Sequence, residues 1–309
     1  MRLVQNGYVD LQVNGYHGID FNDPSTSEEQ LIQAAEAMHG DGVVAALPTV
    51  ITADLESMSQ CIRNLVQAIR SDSVAGRVFR GIHIEGPFFP CESGYIGAHP
   101  PEHALQASMS ALHQLLDAAD GLARLLTLAP ENDVKGELTR ACVQRGCVVS
   151  AGHTNASLDD LSRCIDAGLT LFTHLGNGCP KMMDRHDNII YRALRLRNQL
   201  SYTLIADSFH IPELLFRNLL EWVDHDRLCV VSDAISATGL GPGVYQLGQR
   251  TVMIGSDKAA RDASGQHFVG AASSMMDADR WLAEGLGLDL ELRTKLLVSN
   301  PTKFIGLTA

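Results

Sequence analysis

Short apolar, β-branched runs recur along the chain at 8–14, 43–51, 79–85, 124–129, 147–152, 169–175, 201–207 and 228–234. Between them the apolar positions shift to the three- and four-residue spacing of amphipathic helices, as in SEEQLIQAAEAMHG, LESMSQCIRNLVQAIR and SLDDLSRCIDAG. The first and last of these open on a serine that can accept from first-turn N–H groups and close on glycine. Strand then helix, eight times over, predicts an α/β chain folded as a (β/α)8 TIM-type barrel, one domain over residues 1–309. A doubly wound open sheet is the rival, but VNGYHGID after the first strand lacks the G-x-G-x-x-G spacing of a dinucleotide site. The turn-rich segment 239–270, with GLGPGVYQLGQ and DASGQHF, predicts a small hairpin excursion after the last strand. A helical region from roughly 274 to 306 then closes the barrel.

Barrels of this kind gather their chemistry at the C-terminal ends of the strands. Those ends carry Gln12 and Asn14 after strand one, Glu85 after three, His153 after five, His174 after six, Asp207 with His210 after seven and Asp233 after eight. Glu85, in RGIHIEGPFFP, ends an apolar run, where a carboxylate costs free energy unless something compensates its charge. Glu85, His153 and His174 together could do so by holding a divalent ion. Two imidazoles and one carboxylate suit Zn²⁺ and leave a fourth position for water, as in catalytic rather than closed structural sites. The competing reading pairs Glu85 with an Arg or Lys and leaves both histidines hydrogen-bonded at the rim. Asp233, in CVVSDAIS, could act as base and then acid beside the ion, or cap the following segment. His210 could donate to a carbonyl oxygen as charge develops there, or be an ordinary loop histidine. Asp207 reads as support or cap. His83, two residues before Glu85 on the same strand face, reads as an interior hydrogen-bonding group.

The formal net charge of −12 argues against non-specific binding to nucleic acid or anionic membranes and points to small polar molecules as partners. No apolar run is long enough to span a bilayer, and Met1 to Asn6 leads into the first strand without the pattern of a signal peptide. Seven cysteines, an odd number with no C-x-x-C, point to a reducing cytoplasm without a disulfide framework. Each is read as a small buried hydrophobe.

YVDLQVNGYHGIDFND, GIHIEGPF, GAHP, VVSAGHTNAS, FTHLGN, IADSFHI and VSDA, with NPTKFIGL near the C-terminus, resemble the N-acetylglucosamine-6-phosphate deacetylases of the amidohydrolase superfamily. The resemblance covers nearly the whole chain. It implies metal-dependent removal of acetyl from an amino sugar, most simply N-acetylglucosamine 6-phosphate. Glu85, His153 and His174 fall on the family's ligands to one divalent ion, Zn²⁺ first, with Fe²⁺, Mn²⁺ and Co²⁺ compatible with the same donors. Asp233 falls on the acid/base that protonates the departing amine as the tetrahedral intermediate collapses and acetate leaves. Gln12-x-Asn14 stands where many amidohydrolases carry His-x-His and a second metal, which implies a single ion. His99 and His210 fall on substrate contacts, Asn177, Gly178 and Arg185 on the loop that holds sugar and phosphate, and Gly270 and Ala271 on a further substrate-side segment. A homodimer is implied as well.

Three departures bear on the substrate. NGCP replaces the usual Asn-Ala-Met-Pro and RHDN the following Arg-x-Pro-Gly, FVGAASSMMDA is alanine-rich, and the flanking β-sandwich segments of the family are missing from the pattern. Two alternatives therefore stand beside the main reading: an amidohydrolase for an unphosphorylated N-acetyl sugar or other small amide, and a catalytically silent barrel that only binds.

Overall fold

The computed structural model describes Val4 and residues 7–248, 250–256, 258–262 and 268–307. Eight parallel strands follow one another in sequence order: β1 (Tyr8–Val13), β2 (Val43–Ile51), β3 (Ile82–Glu85), β4 (Ala123–Leu128), β5 (Val148–Ala151), β6 (Leu171–Phe172), β7 (Ser201–Ile205) and β8 (Leu228–Val231). Helices α1 (Glu28–Gly40), α2 (Leu55–Ser71), α3 (Met109–Ala118), α4 (Glu137–Gln144), α5 (Leu158–Asp166), α6 (Ile189–Arg195) and α7 (Glu213–Trp222) cross between consecutive strands, and α8 (Met275–Arg280) follows the excursion after β8. The serine caps fall as predicted: Ser27 and Ser157 each form a reciprocal capping box with the residue three positions on. Gly40, however, stays helical, and the chain leaves α1 through Gly42 at φ 85°, where glycine avoids the Cβ penalty.

A seam between β8 and β1 separates a barrel from an open sheet. Asp233 N–H donates to the Gln12 carbonyl over 3.0 Å, Asn14 N–H donates to the Ala234 carbonyl over 2.6 Å, and Val13 and Ala234 form a parallel bridge. Asp10 stitches the same seam from below, its Oδ1 accepting from the backbone N–H of Ser232 at 3.1 Å and of Gln12 at 3.3 Å. The ring is therefore closed and the open-sheet rival falls. Inside it Val9, Leu11, Leu47, Leu125, Leu171, Ile205 and Val231 pack together, while Leu31, Met38, Ile62, Leu65, Leu112 and Phe216 belong to the core between strands and helices. Each such side chain contributes on the order of 1.5–3 kcal/mol by leaving water.

The excursion after β8 is a three-stranded antiparallel sheet, β9 (Gly243–Leu247), β10 (Arg250–Ile254) and β11 (Ala260–Asp262). Residues 263–267 of the DASGQHF turn lie outside the described residues, as does all of Met1–Asn6 except Val4. Apart from a two-stranded ribbon, Gly15–Tyr16 with Ile19–Asp20, the described residues form no further sheet. No helix among them is long and apolar enough to cross a membrane. The cysteines need one correction: five are buried and Cys179 is half-buried, but Cys91 is exposed. It lies on the surface loop after β3, beyond the strands and helices that bury the others.

Candidate metal centre

The polar residues read at the strand ends fall at or just past them: Gln12 and Glu85 lie on β1 and β3, while Asn14, His153, His174, Asp207, His210 and Asp233 stand beyond the last strand residue. His153, His174 and Asp233 follow β5, β6 and β8 by two positions and adopt left-handed backbone, with φ of 52°, 33° and 50°. Non-glycine residues in that region cost on the order of 1–3 kcal/mol each and persist only where surrounding structure holds them. For His153 the hold is visible. A Cβ on Gly97 would meet its ring at 2.8 Å and one on Gly178 at 3.0 Å, so two glycines let the loops close on the imidazole from both sides.

The cluster forms around a single oxygen. Glu85 Oε1 lies 3.1 Å from His174 Nε2, 3.5 Å from His153 Nε2 and 3.0 Å from Gln12 Nε2, and no Arg or Lys pairs with it among the described residues. Donors placed tetrahedrally about an ion at ordinary Zn–N and Zn–O distances stand about 3.3 Å apart, which the spacings from Glu85 to His174 and to His153 approach, while the three residues whose ligand-type atoms all lie within 4.8 Å of one another are Glu85, His99 and His153. Burial pushes the Glu85 carboxyl up, but the contacts with the His153 and His174 rings outweigh it and hold the group well below its ordinary range. His174 Nδ1 is buried without a hydrogen-bond partner.

His99 enters the same cluster. Its Nε2 is 3.2 Å from His153 Nε2, and Glu85, His99 and His153 bring ligand-type atoms within 4.8 Å of one another. Tautomers separate the two histidines. His153 donates from Nδ1 to the Tyr95 carbonyl at 2.9 Å, which leaves the lone pair of Nε2 for a metal. His99 Nδ1 instead accepts from the Thr52 N–H at 3.3 Å, so the neutral ring carries its proton on Nε2 and presents a donor to the site. Burial, then the neighbouring His153, hold the His99 imidazole well below its ordinary range, in keeping with a neutral ring.

Asp233 Oδ1 accepts from Asn14 Nδ2 at 2.7 Å and from Gln12 Nε2 at 3.1 Å. The Ile235 N–H goes to the Ala271 carbonyl at 3.0 Å, so the carboxylate of Asp233 is engaged by the side chains of Gln12 and Asn14 rather than by that N–H of the following segment. Burial and the nearby Glu85 charge push the Asp233 carboxyl up to about 7. Gln12 reaches it because β1 carries a bulge: from Asp10 to Val13 β1 advances three residues while β2 advances from Ala46 to Pro48. The amides of Gln12 and Asn14 offer N–H donors to these carboxylates where the related His-x-His pattern would offer metal ligands, which suits a single ion.

The chain is 31% identical over 299 residues to N-acetylgalactosamine-6-phosphate deacetylase of Shewanella sp. strain ANA-3, covering 97% of this chain and 73% of that protein. It is 29% identical over 313 residues to N-acetylglucosamine-6-phosphate deacetylase of Bos taurus, covering 99% and 75%. This chain belongs to the N-acetylglucosamine-6-phosphate deacetylase family. Among solved structures it superposes on a mutant of the Mycobacterium smegmatis N-acetyl-D-glucosamine-6-phosphate deacetylase in complex with N-acetyl-D-glucosamine-6-phosphate, with a TM-score of 0.89, 27% identity, and coverage of 98% of this chain and 78% of that one. No protein-family profile matches the chain.

The remaining residues singled out from the sequence occupy distinct surroundings. Asp207 accepts from the His210 and Phe209 N–H groups at 2.9 Å and from His210 Nδ1 at 2.7 Å, leaving His210 Nε2 as the ring nitrogen free for other contacts. The Asn177 side-chain nitrogen is buried and unpartnered, and Arg185 on the same loop is exposed. Gly270 and Ala271 flank Asp233 rather than offering free donors: Ala271 N–H is spent on the Asp233 carbonyl at 2.8 Å, and a Cβ on Gly270 would meet that carbonyl at 3.1 Å. Sequence reasoning missed Thr52 and Tyr95, which act through backbone atoms and leave no residue-type signal. It also missed Arg250 of β10, whose Nη2 donates to the His99 carbonyl at 3.2 Å, and Phe268, whose ring centroid is 4.9 Å from that of His210.

Proposed function

We propose that this chain hydrolyses the N-acetyl group of a 6-phosphorylated amino sugar to acetate and the free amine. The observation that carries the reading is Gln12 Nε2, 3.0 Å from Glu85 Oε1 and 3.1 Å from Asp233 Oδ1, which sets the acid/base carboxyl one amide away from the ligand cluster. Glu85, His153 and His174 would hold the ion, and the chemistry a divalent cation supplies there is polarisation of the carbonyl and acidification of water. Asp233, with its carboxyl pushed up to about 7, takes a proton from the attacking water and returns it to the departing nitrogen. His99 directs its Nε2–H into the site, and Asp207 orients His210 for contact with the substrate. Asn177 and Arg185 are assigned to the sugar and its phosphate, with Gly178 leaving room beside His153.

Two neutral imidazoles and a carboxylate favour Zn²⁺, with Fe²⁺, Mn²⁺ and Co²⁺ as alternatives, and Gln12 and Asn14 favour one ion over two. A cytoplasmic homodimer completes the reading.

Acetate release should be compared for N-acetylglucosamine 6-phosphate, its galacto epimer and both unphosphorylated sugars, with metal content measured in parallel. The reading expects a bound ion, a higher kcat/KM for the phosphorylated sugars and near-complete loss in Asp233→Asn. Equal kcat/KM with and without phosphate would replace it by the unphosphorylated alternative. Protein that holds no ion and releases no acetate would be the silent barrel.

A further inference from the structure

Beneath the ligand cluster, the interior carries a row of polar side chains where barrels of this type ordinarily stack aliphatic ones. Ser150 of β5, Thr173 after β6, Thr127 of β4, His83 of β3 and Thr49 of β2 are all fully buried. They are joined in that order: Ser150 Oγ to Thr173 Oγ1 at 2.7 Å, Thr173 to Thr127 Oγ1 at 2.8 Å, Thr127 to His83 Nε2 at 2.8 Å, and His83 Nδ1 to Thr49 Oγ1 at 3.3 Å. Thr49 gives its hydroxyl proton to the Leu47 carbonyl at 3.1 Å and accepts the Val13 N–H at 3.0 Å. With that proton spent, His83 donates from Nδ1 and accepts at Nε2. Thr127 therefore donates to His83, Thr173 to Thr127 and Ser150 to Thr173, a one-way chain whose links polarise one another.

Thr127 is the node of this chain. Its hydroxyl joins His83, two residues before Glu85, to Thr173, the residue before His174. Its carbonyl accepts the N–H of Gly86, the residue after Glu85, at 2.9 Å. Its methyl fills the space beside Gly152, the residue before His153, where an added Cβ would meet Thr127 Cγ2 at 2.6 Å. One residue thus touches a near neighbour in the chain of each of the three ligands.

We propose that Thr127 is a positioning residue for the metal centre, and that its hydroxyl sets the spacing of Glu85 and His174. The inference rests on the metal-dependent function proposed above. Thr127→Val keeps the branched shape but leaves His83 Nε2 and the Thr173 hydroxyl without their partner. Thr127→Ser keeps the hydroxyl and loses only the methyl. The readout is Zn²⁺ affinity of the full chain by competition with a chromogenic chelator, with the melting temperature of the metal-free protein followed alongside.

Removing a group that orients ligands from behind typically weakens metal binding about 10- to 100-fold, and that loss is expected for Thr127→Val. Thr127→Ser should restore wild-type affinity even where its melting temperature falls. Wild-type affinity in Thr127→Val, or equal weakening in both variants, would overturn the proposal. If Thr127→Val does not fold, Thr173→Val cuts the same chain one link away, and unchanged affinity there would overturn it too. Failure of the wild type to bind any of Zn²⁺, Fe²⁺, Mn²⁺ and Co²⁺ would instead overturn the functional reading itself, and the inference with it.

Discussion

Asn14 Nδ2 donates to Asp233 Oδ1 over 2.7 Å, the shorter of the two side-chain amide contacts on that oxygen. The contact favours the charged carboxylate and opposes the upward push from burial and from Glu85. Replacing Asn14 by leucine removes the donor and keeps the volume. A hydrogen bond to a charged group is worth about 1.5–3 kcal/mol, so the Asp233 carboxyl should rise by roughly one to two pH units. Asp233 must be ionised to act first as a base, so the acid limb of kcat/KM against pH moves to higher pH and the rate at pH 6 falls. An unmoved limb in Asn14→Leu would separate Asp233 from the group that controls it.

The tautomers of His99 and His153 give a second expectation. Both rings lie within reach of Glu85, but only His153 has its Nδ1 proton engaged by a carbonyl and therefore carries its lone pair on Nε2, which faces His99 Nε2 at 3.2 Å. His153→Gln and His174→Gln should therefore lose the ion, whereas His99→Gln should keep it and lose catalytic efficiency. Thermal unfolding with and without Zn²⁺ distinguishes them, since ligand at a hundredfold excess over Kd stabilises by about 2.7 kcal/mol. A metal-dependent rise in melting temperature should survive in His99→Gln alone. Loss of that rise in His99→Gln would make this histidine a ligand.

The eight apolar runs announced the eight strands because burial on both faces of a barrel strand leaves a continuous hydrophobic stretch. The same runs overstated where pairing stops. Gly152, Thr173 and Ser232 lie within those runs, yet the chain turns left-handed at the next residue, and although histidine and aspartate are enriched at positive φ, most of them do not adopt it, so the residue type alone did not mark the turn. The candidate ligands were legible because charged and imidazole groups at strand ends demand compensation. Thr127, Thr52 and Tyr95 were not, since small hydroxyls and backbone atoms look the same whether they hold a site together or merely pack. Gln12 was legible as a polar strand residue, but its reach to both Glu85 and Asp233 depends on a bulge that exists only in the pairing with β2.

Arg185 is exposed on the loop that also carries Asn177, with RHDN in place of the family's usual sequence. If this guanidinium meets the substrate phosphate, Arg185→Ala should lower kcat/KM for the 6-phosphorylated sugar by about 10- to 100-fold, the range expected for a charge-assisted hydrogen bond. The unphosphorylated sugar should be turned over unchanged. Equal effects on both would place the phosphate, or the loop, elsewhere.

Asp10 ties the barrel seam at a cost that depends on pH. Burial is the largest influence on its carboxyl and pushes it from 3.8 to about 6, against the hydrogen bonds from Ser232 and Gln12. A raised folded-state value favours the protonated form, so its stabilising contribution is complete below pH 3.8 and is lost as pH rises through about 6. The difference of roughly two pH units corresponds to about 3 kcal/mol at neutral pH. Both backbone donors meet the same oxygen, Oδ1, which an asparagine also provides, so Asp10→Asn can keep the seam while removing the charge. The variant should match wild type near pH 4 and exceed it increasingly up to about pH 7, where the gap levels off. Calorimetric melting of both proteins across that range checks the sign, and a gap that is constant with pH would mean that Asp10 is not the titrating group at the closure of the barrel.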